Sequence, residues 1–207
     1  MAEYETEEQQ VEALKDWWKQ NGMAVVGGAV LGISALVGWR GWNWYQEKQA
    51  TEASDIFAVV QEAANKNDTT TLQKQTNILR DNYASTPYAP LAVLHQAKNQ
   101  IEQGENAAAE ESLRWVLKNS KQDTVQNVAR LRLARLLLAD KKVDEAQAMV
   151  NSGMSDAYAS LTNEIRGDIF VAKGEIEQAK EAYDQAMQAA SGAGVEYLQL
   201  KRNDLGS

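Results

Sequence analysis

Between Lys19 and Arg40 the chain carries no charged residue. Residues 20–39 read QNGMAVVGGAVLGISALVGW, with only Gln20, Asn21 and Ser34 overtly polar. As an α-helix, about 20 residues rise roughly 30 Å, the hydrocarbon thickness of a bilayer. The rest of the chain is polar and acidic, with a formal net charge of −8. The pattern predicts a water-facing domain tethered by one span.

Two other readings compete with an anchor. A cleaved signal peptide needs a basic start and a small-residue cleavage site. Here Glu3, Glu5, Glu7, Glu8, Glu12 and Asp16 outweigh Lys15 and Lys19, and the run ends in Gly38-Trp39-Arg40. A buried core helix is the second rival, since the run is near the short end of the spanning range. The flanks favour the anchor. Trp17 and Trp18 precede the run, and Trp39, Trp42, Trp44 and Tyr45 follow it, so five of the six tryptophans lie in the flanks. Rings with one polar edge prefer the headgroup region.

Inside the run, Gly28 and Gly32 are four apart, and Ser34 and Gly38 repeat that spacing. Small residues at i and i+4 leave a strip where a second membrane helix can approach closely. These four are the candidate helix-packing positions; the bland alternative is that glycine is common in membrane helices. The charges near the run do not orient it. Lys15 and Lys19 lie before it and Arg40 and Lys48 after it, so the positive-inside rule gives a tie.

Three segments are expected: an amphipathic tail over 1–21, the span over 22–44 and a helical domain over 45–207. In the tail, Val11, Leu14 and Trp18 share one side of a helix. Thr6 is the expected N-cap, with Glu7 and Glu8 suited to the positive helix end. Asn21-Gly22 either ends this helix or kinks it into the span.

From Gly41 onward there are 18 Lys+Arg and 23 Asp+Glu, a net charge of −5. No basic stripe suited to nucleic acid appears. The chain has no cysteine, which excludes disulfides and thiol chemistry.

The domain reads as a set of helix pairs. In residues 167–190, small Gly167 is followed by Phe170, a turn at Lys173-Gly174, and Ala179, Tyr183 and Ala186 on a second helix. Ala134, Leu137, a turn at 140–142, Ala146 and Val150 repeat this frame; so do Ala97, Gln100, a turn at Gly104, Ala109, Leu113 and Val116. A helical period in the thirties is the mark of tetratricopeptide (TPR)-like stacking, in which small residues let paired helices pack closely. Upstream, Ala53, Phe57, Val60 and Ala64 predict one helix, and Leu72, Ile78, Leu79 and Tyr83 its partner. Pro87 and Pro90 then separate this pair from the next. Val195, Leu198, Leu200 and Leu205 predict a C-terminal capping helix. The expected fold is all-α: one transmembrane helix followed by a TPR-like α-solenoid of about four pairs.

No catalytic constellation emerges. His95 is the sole histidine, with no carboxylate at i±4 to help it hold a metal. Glu110-Glu111 and Asp144-Glu145 sit on first turns, where the helix dipole accounts for them. Arg130, Arg132 and Arg135 form a basic run in which only the last two share a face. Such a run is usually a solvated face; a carboxylate-terminus clamp of the kind some repeat proteins use is the functional alternative. Phosphate loops, nucleophile elbows and HExxH helices are missing. The chain is expected not to be an enzyme, and no cofactor is expected.

The tail EEQQVEALKDWWKQNG, the exit GWRGWN over residues 38–43, the run RLRLAR over 130–135 and the hairpin KGEIEQAKEAYDQA together resemble the YfgM family. The resemblance covers essentially the whole chain, most strongly residues 7–43. It implies an ancillary subunit of the bacterial SecYEG translocon in the inner membrane, with a cytoplasmic tail and a periplasmic domain. The implied partners are the channel itself and a membrane-anchored periplasmic prolyl isomerase, with secreted chains passed on to periplasmic chaperones. It also implies a link between the tail and a cytoplasmic response regulator.

Two binding functions follow: a scaffold at the translocon, or a tether whose tail holds a regulator. Repeat stacks usually bind partners on the concave face. The candidate partner-binding residues on the first helix of each pair are Leu94, Gln100, Arg130 and Arg166.

Overall fold

A computed structural model of the protein describes residues 7–206. The expected cap at Thr6 lies outside them. The described secondary structure is entirely helical, as the abundance of good helix formers and near-absence of proline dictate. The chain divides into two compact units, Met1–Gln49 and Ala50–Ser207. Helix α1, Glu7–Asn65, contributes to both.

The first unit holds the apolar run. Among the described residues one helix is long and apolar enough to cross a membrane. Val30, Leu31, Ile33, Leu36 and Val37 are all more than half exposed, so no core among the described residues covers them. Asn21-Gly22 does not break the helix. The Asn21 amide donates to the Trp17 carbonyl at 2.9 Å, and the Trp18 ring lies over Gly22, 3.2 Å from where a Cβ would stand. Beyond the run, the Lys48 Nζ sits 5.8 Å from the Trp44 ring centroid. Trp42 and Tyr45 rings are 6.2 Å apart.

The second unit is a stack of helix pairs. The end of α1 precedes α2 (Thr69–Asn82). Next come α3 (Tyr88–Glu102) with α4 (Asn106–Asn119), and α5 (Asp123–Ala139) with α6 (Val143–Asn151). After a 3₁₀ turn at Asp156–Tyr158 come α7 (Ala159–Lys173), α8 (Ile176–Ala189) and α9 (Ala193–Asn203). From α2 onward each helix packs on its sequence neighbours, and the first helices also meet, α3 with α5 and α5 with α7.

The turn inside each pair is built the same way. Asn67, Gly104, Lys141 and Gly174 all adopt left-handed backbone, with φ of 55°, 76°, 61° and 78°. The next N–H reaches back five residues each time: Asp68 to Ala63, Glu105 to Gln100, Lys142 to Leu137 and Glu175 to Phe170. This is the Schellman closure of a helix, which satisfies its last carbonyls. Glycine fills two of the four positions at no steric cost; Lys141 occupies the third despite its Cβ.

Counting from that residue puts the packing in register. Seven positions earlier stand Val60, Ala97, Ala134 and Gly167, all buried; nine later stand Thr76, Leu113, Val150 and Tyr183, also buried. The smallest residue of the first set faces the largest of the second. A Cβ on Gly167 would stand 2.4 Å from the Tyr183 ring, so only glycine admits that ring. Ala109, Ala146 and Ala179, the expected close-contact alanines, have no exposed surface.

Two local expectations change. Residues 87–90 start α3 rather than linking two pairs: Pro87 is the N-cap and Pro90 lies in the first turn, where a missing N–H costs nothing. Leu198 of α9 is buried and Leu205, just past the helix, packs against the same cluster, but Leu200 points outward. Helix α9 covers only one side of the last pair, so one residue in four of the expected apolar set is left in solvent.

Candidate partner-binding face

The first helices of successive pairs line one face of the stack, and a groove opens where α3, α5, α2 and the end of α1 converge. It encloses about 440 Å³. Its walls include Leu72, Leu91 and Leu94, and its polar groups include Asn65, His95, Lys98, Asn99, Glu102 and Arg132. Arg132 is half-buried and donates from Nη1 to the Leu94 carbonyl at 2.9 Å. Burial works against its charge. Lys98 pairs with Glu102 at 3.5 Å, one turn along α3. The His95 ring packs 5.9 Å from Phe57. Burial, and then the Arg132 and Lys98 charges, hold His95 below the ordinary imidazole range, so it faces the groove uncharged at neutral pH.

The four residues expected to meet partners are placed differently. Leu94 is 7 % exposed and forms part of the groove wall. Gln100 accepts from the Ser112 hydroxyl at 2.8 Å and lines a smaller cleft with Gln73, Gln96 and Gln103. Arg130 bonds Asn127 and Gln126 of its own helix. Arg166 likewise bonds Asn163, and reaches the Val150 carbonyl. The structure therefore brings Leu94 and Gln100 to neighbouring clefts along α3 and leaves Arg130 and Arg166 lining neither.

The basic run disperses in the same way. Arg135 pairs with Glu164 of α7 at 3.2 Å, while Arg132 turns to α3. Further along the face, Lys201 of α9 donates to Glu164 at 2.9 Å and to both Asp168 oxygens at 2.8 Å. Burial opposes the Lys201 charge, but these bonds outweigh it and raise its pKa. The Tyr183 hydroxyl donates to Asp168 at 2.6 Å; burial and that carboxylate push it above the ordinary tyrosine range. This cluster ties α7, α8 and α9 together. Sequence reasoning placed Arg132 in a basic run but did not single it out as a partner-binding residue. The signal was present, because no acid stands three or four residues from it on α5.

In the membrane run, a Cβ on Gly28, Gly32 or Gly38 would meet nothing within 4 Å. At 3.6 residues per turn, Gly28–Gly32 and Ser34–Gly38 form two strips about 120° apart rather than one.

The Tetratricopeptide repeat-like domain family matches residues 15–207. A protein of Aggregatibacter actinomycetemcomitans described as "Ancillary SecYEG translocon subunit" is 31% identical over 96% of this chain and 97% of its own length. The chain belongs to the YfgM family of ancillary SecYEG translocon subunits. A family member from Neisseria gonorrhoeae is 30% identical over 99% of this chain and all of its own length (100%). One from Escherichia coli is 29% identical, covering 98% of each chain. YfgM relatives thus match span and repeats together. Among solved structures, the chain described as "MamA RS-1 ArsTM double mutant" superposes with a TM-score of 0.56 at 15% identity, covering 74% of this chain and 86% of that one. That likeness concerns the fold alone.

Proposed function

We propose that this protein is a non-enzymatic, single-span ancillary subunit of the SecYEG translocon whose TPR-like domain holds partner segments. The observation that carries this reading is the union, in one chain, of an uncovered span-length helix with a TPR-like stack, matched along its whole length by relatives described as translocon subunits. In this reading residues 1–21 lie in the cytoplasm, 22–44 cross the inner membrane and 45–207 stand in the periplasm. The domain works beside a membrane-anchored prolyl isomerase and passes emerging chains to periplasmic chaperones. Leu94, Gln100, Arg130 and Arg166, all on first helices, contact partner segments. Gly28 with Gly32, and Ser34 with Gly38, offer close approach to other membrane helices.

The test is affinity purification of the full-length chain in mild detergent, with partners counted. Stoichiometric recovery of the SecYEG channel with a prolyl isomerase is the expected result. Recovery of a cytoplasmic response regulator alone would overturn it in favour of a regulatory tether.

A further inference from the structure

We propose that the groove between α3 and α5 binds an extended polypeptide segment carrying a carboxylate close to an aliphatic side chain, with Arg132 as the carboxylate's partner. The inference deepens the proposed function by assigning it a site and a ligand chemistry, and so rests on it.

The charge balance points to an anion. Among the described residues, Arg132 has no ion pair; its one bond is to the Leu94 carbonyl. The only acid on the groove wall, Glu102, is already engaged by Lys98. A half-buried guanidinium has lost part of its hydration without gaining a counter-charge, an expensive arrangement that an incoming carboxylate relieves. In a chain of net charge −8, Arg114, Arg135, Lys142, Lys201 and Arg202 each meet a carboxylate; Arg130, Arg132 and Arg166 bond only amide or carbonyl oxygens, and of these three Arg132 is the one that lines the groove. A planar guanidinium fits a carboxylate with two parallel hydrogen bonds.

The walls point to a polypeptide. Leu72, Leu91 and Leu94 offer an apolar seat beside the charge. Asn65 and Asn99 offer donors and acceptors suited to a peptide backbone. The enclosed volume of about 440 Å³ lies within the range of roughly 300–1,000 Å³ typical of ligand sites. A phosphate dianion fits less well, since Glu102 shares the wall and one cation would face two charges.

Calorimetric titration of the full-length chain in lipid nanodiscs tests the assignment. The probes are a short alanine–leucine peptide with blocked ends and one internal glutamate, its glutamine counterpart, and a glutamate-free version ending in a free carboxylate. The glutamate peptide is expected to bind about tenfold or more tightly than the glutamine one, the range of a charge-assisted hydrogen bond. Arg132→Gln should erase that preference, and Arg132→Lys should keep part of it. Should Arg132→Gln melt early, Lys98→Gln serves instead: its side chain is exposed, and its loss frees Glu102 to repel the ligand. Binding of the free-ended peptide alone would keep the carboxylate and assign it to chain termini. Equal binding of the glutamate and glutamine peptides without preference for a free end, or an undiminished preference in folded Arg132→Gln, would overturn the inference. Channel recovery is scored separately. Recovery without peptide discrimination removes only this inference, while discrimination without recovery removes only the translocon reading.

Discussion

At the scale of the residue, the tightest constraint is the Gly167–Tyr183 contact. Gly167→Ala forces a Cβ to 2.4 Å from a ring that is anchored through its hydroxyl to Asp168 and cannot swing aside freely. Overpacking of this kind costs about 1–3 kcal/mol, and thermal melts should show it. Tyr183→Leu in the same chain should restore part of the loss, a non-additivity expected of side chains in direct contact. Thr76 makes the opposite case. Its hydroxyl is buried with no hydrogen-bond partner, at the position where the other pairs carry Leu113, Val150 and Tyr183. Thr76→Val removes an unpaired polar group that costs about 1–3 kcal/mol, and should raise the melting temperature. An unchanged or lower value would mean that the hydroxyl is satisfied by solvent.

At the scale of the element, ion pairs bind helices across the stack, and their pH dependence has a defined sign. Glu110 of α4 is held by Lys142, which precedes α6, and by Arg114, which also reaches Glu145 of α6. The Lys142 and Arg114 bonds lower its pKa below the ordinary 4.5. Its contribution is present above about 4.5 and disappears as pH falls through the lower folded value. Lys201 behaves in mirror image. Its folded pKa lies above the ordinary 10.5, so its contribution is present below about 10.5 and disappears as pH rises through the folded value. Melting temperatures followed across pH should show a shallower acid limb for Glu110→Gln and a shallower alkaline limb for Lys201→Met. The helices themselves were legible in sequence, because small residues at fixed offsets from a turn reveal paired packing. The first pair was harder to align, since Val60 and Leu72 stand where later pairs carry alanine or glycine. The turn at 141 was placed correctly, but nothing in a lysine announces left-handed backbone. Replacing Lys141 by glycine removes a strain of roughly 1–2 kcal/mol against about 0.4–1 kcal/mol of added unfolded-state entropy. A small net gain in stability is the expected readout.

For the whole molecule, the span was plain from the missing charges, and its uncovered apolar surface agrees with an anchored protein. The binding face was less legible. Periodicity identifies which helices come first in each pair, but side-chain partnering decides which of their residues remain available. Arg130 and Arg166 also bond asparagines three residues before them, a local pairing that periodicity does not show. Arg132 turns to the Leu94 carbonyl of α3 while Arg135 of the same helix pairs with Glu164 of α7, a division set by how the helices pack.

Contacts that run from each helix to its neighbours also fix how the domain yields to force. A globule whose ends are stitched together gives way all at once. This stack has no such stitch among its described contacts, so tension on the C-terminus should peel α9, then α8 and α7, in discrete steps of one pair. The groove beside α3 takes its lining from residues 64–102 and Arg132, none of them in α7, α8 or α9. A segment held there would keep its seat while the outermost repeats open and close, making the stack a spring that can stretch without dropping its cargo.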